Sequence, residues 1–255
     1  VKGKLENLTI ERMDSLRMVG SIYKGRIRNL EDGLKAAFVD IGLEKNAFLH
    51  YWDIIPSPLD SSYDVVDRGK RKKEKPRITN KDIPRKYPSG TELTVQVTKG
   101  PIGTKGPRVT TNVLLPGRYL VLLPNSEQSG VSRKIENREE RARLKKIVRE
   151  LNVPDGMGVI IRTAGQGQRK AYFIRDLAIL LQTWDGITDR VKNQKAGTCV
   201  FEEPDLIERT VRDFLTEDVE RIVVDNAAEA ERVRKLIGRI SKRALDKVQR
   251  YSYSE

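Results

Sequence analysis

The sequence predicts an α/β (α+β) protein of more than one domain, in which a small β-barrel is combined with layers of helix and strand. Three observations carry this. Residues 20–55 alternate short β-like runs with turn residues; two later stretches space their apolar residues as helices do; and the C-terminal part reads helix, strand, helix. At 255 residues and 29.1 kDa, with 38% hydrophobic residues, the chain can build one large domain or two to three small ones around apolar cores.

Val1 to Leu5 and then "LTIER" look like a hairpin at the start of the chain. Residues 20–55, "GSIYKGRIRNLEDGLKAAFVDIGLEKNAFLHYWDII", carry turn residues at Asn29, Asp32, Gly33 and Gly42, as a small antiparallel barrel or meander would. Strands at 92–99 and 108–113 continue it after an interruption. That interruption, 57–89, holds ten Lys or Arg against five acids, with four prolines. It reads as a basic insertion, either a solvated loop or an RNA contact. A strand at 117–124 follows Pro116. A helix at 138–152 is N-capped by Asn137, with Glu140 three residues on and Leu144, Ile147, Val148 and Leu151 along one face. Pro154 and Gly156 end it, and 158–161 is a buried strand. Residues 169–192 form a long amphipathic helix whose stripe is Ile174, Leu177, Ala178, Leu181 and Trp184. Pro204 opens another, with Ile207, Val211, Phe214 and Leu215 inward. "RIVVD" (221–225) is a short buried strand, and Ala227 to Gly238 a helix after it. The order suggests an α/β layer closed by the N-terminal hairpin.

Charge narrows the function classes. A formal charge of +13 beside 33% charged residues calls for a polyanionic partner, and nucleic acid leads. One cysteine, Cys199, excludes a disulfide framework, and it reads as a small buried hydrophobe. One histidine, His50, leaves no material for His-based triads or metal sites. No apolar run approaches a membrane span of about 20 residues, so the chain reads as soluble and intracellular.

Strand parity locates candidate binding residues. In "AAFVDIG", Ala37, Val39 and Ile41 share the core face, which sends Phe38 outward with Ala36 and Asp40. In "NAFLHYW", Ala47 and Leu49 point in, which sends Phe48 outward with His50. Two such rings on a basic barrel would stack single-stranded bases at about 1–3 kcal/mol each, unless another domain covers them. Lys99 and Lys105 bracket the glycine-rich "GPIGT", which could approach a phosphodiester closely. "GQG" at 165–167 is too short for a dinucleotide or P-loop fingerprint. Arg162 and Thr163, at a strand end before a helix, would suit one terminal phosphate. Alternatively Arg162 pairs with an acid and Thr163 caps the helix. Asp218 and Asp225 are not assigned to a metal, because nothing places a second carboxylate beside either.

"IYKGRI", "AAFVDIGLEKNAFLH", "GTKG", "LPGRYLVLLP", "SGVSRKI", "GMGVIIRTAG" and "RDFLTEDVERIVVDN" resemble, in order, the N-terminal half of the bacterial ribonuclease E and ribonuclease G family. The likeness covers nearly the whole chain except the basic insertion. It implies an endoribonuclease of RNA processing and decay that acts on single-stranded RNA and prefers 5′-monophosphorylated ends. The implied fold is a ribonuclease-H-like subdomain at residues 1–18 and 206–255. An OB-type barrel of the kind named after ribosomal protein S-one is inserted at 19–113, with a 5′-phosphate sensor region at 114–205. Residues matching Phe38, Phe48 and Lys105 would hold the RNA, with Lys99 beside them. Those matching Arg162 and Thr163 would grip the terminal phosphate, helped by backbone at Gly117 and Val121 and by Arg133.

The resemblance also implies a cytoplasmic enzyme that is a homo-oligomer at full length. Its catalytic acids, which bind magnesium, and its cysteine pair for interchain zinc would lie beyond Glu255. The expectation is therefore a chain with no catalytic residue and no metal ligand, which binds and orients RNA without cutting it. The alternative is a stand-alone, non-catalytic RNA-binding or regulatory protein.

Overall fold

The alternating run at 22–31 forms the long strand β1 (Ile22–Glu31), which turns at residues 31–35 into β2 (Ala36–Asp40). The computed structural model describes residues 5, 8–11, 18–55, 61–69, 78–215, 219–240 and 242–251. The chain divides into two units, one of Met18–Glu203 and one of Val1–Arg17 with Pro204–Glu255.

In the larger unit, β3 (Ala47–His50) pairs with β2 and runs into a single helical turn, α1 (Tyr51–Ile54). After β4 (Tyr63–Val65) and the short α2 (Ile83–Lys86) come β5 (Glu92–Lys99) and β6 (Arg108–Thr110). The order β1-β2-β3-β6-β5, with β5 pairing back to β1, is a closed five-stranded barrel of OB type. Closure removes the barrel's own sheet edges. Its core holds Val39, Leu49, Tyr51, Val95 and Val109, all fully buried. The barrel is not antiparallel throughout, because β3 and β6 run parallel where Phe48 meets Arg108. A long connection between two strands permits that pairing, and a tight hairpin does not.

The same unit continues with β7 (Leu115–Pro116), β8 (Leu120–Leu123), β9 (Gly130–Ser132), α3 (Arg138–Glu150), β10 (Gly158–Ile161), α4 (Lys170–Asn193) and β11 (Thr198–Phe201). A second sheet has the order β4-β9-β10-β8-β7, with β9 and β10 parallel. α3 and α4 pack on it through Leu144, Val148, Phe173 and Leu177. Each such side chain taken from water contributes about 1.5–3 kcal/mol before entropy is counted. The Asn137 side chain accepts from the Glu140 amide at 3.0 Å, as the capping pattern of α3 predicts.

Two strands sit away from their sequence neighbours. β4, from within the basic insertion, covers the edge of β9, and Val66 and Ile83 of the same stretch are buried. Where described, 57–89 is therefore built into the fold and not a plain solvated loop; 56–60 and 70–77 lie outside the described residues. β11, which local patterning does not reveal, joins β1 beside the barrel.

The inward face of α4 also differs from the predicted stripe. Phe173, Leu177, Leu180, Trp184 and Ile187 are buried with Asp176, while Ile174 is 52% exposed and Ala178 is exposed. Ala36, expected outward, is fully buried, and Cys199, expected inside, is exposed.

In the smaller unit, α5 (Leu206–Phe214), β12 (Ile222–Val224), α6 (Ala227–Ile240) and β13 (Val248–Arg250) enclose a core of Val211, Leu215, Val233, Ile237 and Val248. β12 and β13 are parallel. Phe214, expected inward, is exposed, and β12 is half-buried and not a buried strand. Residues 8–11 form no strand, so the described part of the predicted hairpin is irregular. Glu11 instead accepts from the Leu206 amide at 2.8 Å and pairs with Arg209. Residues 1–4, 6, 7 and 12–17, and Asp218, lie outside the described residues.

Candidate nucleic-acid interface

Phe38 and Phe48 are cross-strand partners in β2 and β3, on the face opposite the buried Val39, Ala47 and Leu49. Their ring centroids are 5.7 Å apart in an edge-to-face arrangement, and both rings are half-buried. They floor a groove of about 740 Å³ in the barrel surface. Lys45, Lys99, Lys105 and Arg108 line it and no carboxylate does. Arg108 comes to it through the β3–β6 pairing and is held by Asp53 at 2.9 Å.

The rim of the groove is built by two interlocked loops. Ile102 and Lys105 exchange backbone bonds of 3.2 and 3.0 Å around Gly103, whose φ is +56°. A Cβ on Gly106 would lie 2.1 Å from the Asn46 carbonyl oxygen, so only glycine lets the β5–β6 loop rest against the β2–β3 loop. Lys45 closes the contact by donating to the Gly103 carbonyl at 3.1 Å. Phe38, Phe48, Lys99 and Lys105 thus meet in one groove. Lys45 and Arg108 also line it, although no local pattern in the sequence points to either.

The second candidate site lies on the sheet of β9 and β10. These strands are in register at Val131 and Ile161, so both leave the sheet at the same edge, β9 into Arg133 and β10 into Arg162 and Thr163. The carboxyl ends of parallel strands are where open sheets commonly bind ligands. Arg133 and Thr163 are exposed, and Arg162 is half-buried. The Arg162 amide donates to the Tyr119 carbonyl at 2.8 Å, and its guanidinium donates to the Gly117 carbonyl at 2.5 Å. Val121, in the middle of β8, lies between Ile160 and Pro116.

The loop at 117–120 is gripped from below by Asp176 of α4. Its buried carboxylate accepts from the amides of Arg118, Tyr119 and Leu120 at 3.2, 2.8 and 2.9 Å. A Cβ on Gly117 would stand 2.7 Å from that carboxylate, which is why the loop can close over it. Asp176 escapes sequence reading because an acid among the apolar positions of a helix looks like part of its solvent face.

The glycines after Thr163 do not make a phosphate cradle. Gly165 packs against Phe173 and Ile161, where a Cβ would approach within 2.9 Å of each, and Gly167 takes a φ of +73°. The amides of 165, 166 and 168 bond within the turn, and that of Gly167 donates to Glu140 at 2.7 Å. Arg143 holds the Glu140 carboxyl below the usual range, with the Gly167 amide adding to the effect. The amides of residues 165–168 are thus engaged within the protein.

Burial, aided by the charge of Arg108, pushes His50 below its ordinary value, against the opposing pull of Asp53. Among the described residues no group of three or more His, Cys, Asp or Glu could hold a metal ion. No described helix is long and apolar enough to cross a membrane.

A family profile described as the ribonuclease E/G family matches residues 114–255. Over 224 residues the chain is 42% identical to ribonuclease G of Escherichia coli K12, covering 88% of this chain and 44% of that protein. It is 38% identical to ribonuclease G of Salmonella typhimurium SL1344 over 250 residues, or 98% and 49% of the two chains. With ribonuclease E of Haemophilus influenzae the identity is 36% over 249 residues, or 97% and 25%. The chain spans about half the length of the ribonuclease G relatives and about a quarter of this ribonuclease E.

Proposed function

Because the chain belongs to the ribonuclease E/G family, we propose that it is the RNA-holding part of an endoribonuclease of RNA processing and decay. One observation carries the reading: two aromatic rings lie on the floor of a groove lined by four cations and no acid. Such a groove suits a single strand, whose bases stack on the rings while its phosphates meet the cations. Phe38 and Phe48 take bases; Lys99 and Lys105, with Arg108, take phosphates.

Arg162 and Thr163 read a 5′-monophosphate, helped by backbone at Gly117 and Val121 and by Arg133. A guanidinium carries five N–H donors in a rigid fork, so Arg162 can hold the Gly117 carbonyl and a phosphate oxygen together. Hydrolysis is assigned to none of the described residues, whose part is to bind and orient. Self-association of the full-length protein and a cytoplasmic location follow from the same reading.

The test is binding of the 255-residue chain to two short single-stranded RNAs that differ only in a 5′-monophosphate or a 5′-hydroxyl, with magnesium present. Tighter binding of the monophosphate without cleavage is expected. Equal affinity removes the phosphate site, and cleavage overturns the division between holding and cutting.

A further inference from the structure

In β3 Ala47 and Leu49 are fully buried and Phe48 and His50 lie on the other side; the chain then enters α1, where Tyr51 is buried and Trp52 is exposed against His50. The rings of Phe48, His50 and Trp52 form an unbroken row. Phe48 meets His50 edge to face at 4.5 Å, and His50 lies flat on Trp52 at 3.9 Å with 15° between the planes. Through Phe48 the row joins Phe38 and the floor of the groove.

We propose that the indole of Trp52 is a third base-stacking position, extending the RNA path of the groove along this row of rings. The proposal rests on the reading of the groove as an RNA site and deepens it. Trp52 is 51% exposed, against 9% for Trp184 in the helix core. An indole covered on one face by an imidazole and half open to solvent presents its other face, and any base can stack there irrespective of sequence.

The neighbouring charges suit the same ligand. Arg108 lines the groove beside Phe48, and it is paired with Asp53, the residue after Trp52. A cation is thus within the row for the phosphate that links two stacked nucleotides. His50 serves as a spacer: it lies half-buried between the two rings, and its partial burial and the charge of Arg108 hold it toward its neutral form.

Trp52→Ala and Trp52→Phe are to be compared with the unaltered chain on unstructured single-stranded RNAs of increasing length, following affinity and tryptophan emission. Emission should fall on RNA binding, and the fall should vanish in Trp52→Phe, since the second tryptophan, Trp184, lies in the core. Trp52→Ala should weaken binding roughly tenfold for RNAs long enough to pass the phenylalanine pair, and leave shorter ones unaffected. Trp52→Phe should restore most of the affinity.

If the unaltered chain binds, Phe38→Ala weakens it and Trp52→Ala does not, the third position is refuted while the groove stands. If the chain does not bind, or Phe38→Ala has no effect, the groove reading itself fails. A change of oligomeric state in Trp52→Ala, with RNA affinity unchanged, would make the indole a protein contact and overturn the proposal.

Discussion

At Arg162 the backbone belongs to a sheet and the side chain to the proposed phosphate site. Its amide continues the pairing of β10 with β8, while its guanidinium is anchored on Gly117. Arg162→Ala is expected to abolish discrimination between 5′-monophosphate and 5′-hydroxyl RNA in competition binding, while affinity for the internal strand persists. Loss of the folded state in that variant would make Arg162 structural. His50 gives a pH prediction, because it is the chain's single imidazole. Its folded pKa lies below the ordinary 6.5, so the unfolded chain binds more protons just below that pH. The contribution of His50 to stability is then complete above 6.5 and is lost as the pH falls through the folded value. Thermal midpoints measured from about pH 8 to about pH 5 should drop in that window, and His50→Gln should flatten the drop.

Helix α4 decides more than its own packing. Asp176 takes three amides of the loop before β8, and through that loop it sets where Gly117 offers its carbonyl to Arg162. Asp176→Asn puts an amide group where only acceptors fit. It should cost about 2 kcal/mol in urea unfolding and reduce monophosphate preference more than barrel binding. A preserved preference would separate the helix from the site. The cap of α3 is a simpler case, and Asn137→Ala should cost about 1 kcal/mol in the same measurement. Both helices were legible as helices, and of the stripe read for α4 Leu177, Leu181 and Trp184 do face the core, while Ile174 and Ala178 do not. Apolar residues lie on both sides of the helix, Phe173, Leu180 and Ile187 on one and Ile174 and Ile179 on the other. Periodicity alone does not say which of these apolar positions face inward. The sheet beneath makes the choice, because it leaves room for one side of the helix and a partner for Asp176.

Across the whole molecule the surplus of +13 charges predicts how binding responds to salt. If the four groove cations each neutralise one phosphate, the logarithm of affinity should fall with that of salt at a slope of roughly −3, at about −0.7 per phosphate of a single strand. Titrations at several salt concentrations test this. Lys105→Ala should make the slope shallower by somewhat less than one, and an unchanged slope would take Lys105 out of the interface.

The sequence by itself determined what depends on neighbours along the chain. The alternation of β2 and β3 set Phe38 against Val39 and Phe48 against Leu49, Asn137 marked the start of α3, and the excess of Lys and Arg named a polyanion. Tertiary structure alone decided what depends on distant partners. It moved β4 out of a basic insertion to cover β9, set β11 beside β1, and placed β6 parallel to β3 so that Arg108 entered the groove. It also bound Arg162 to Gly117 and buried Asp176 beneath the same loop. The physical reason is one of range. Side-chain period and capping act within a few residues, whereas sheet edges and buried carboxylates must find hydrogen-bond partners wherever the fold brings them.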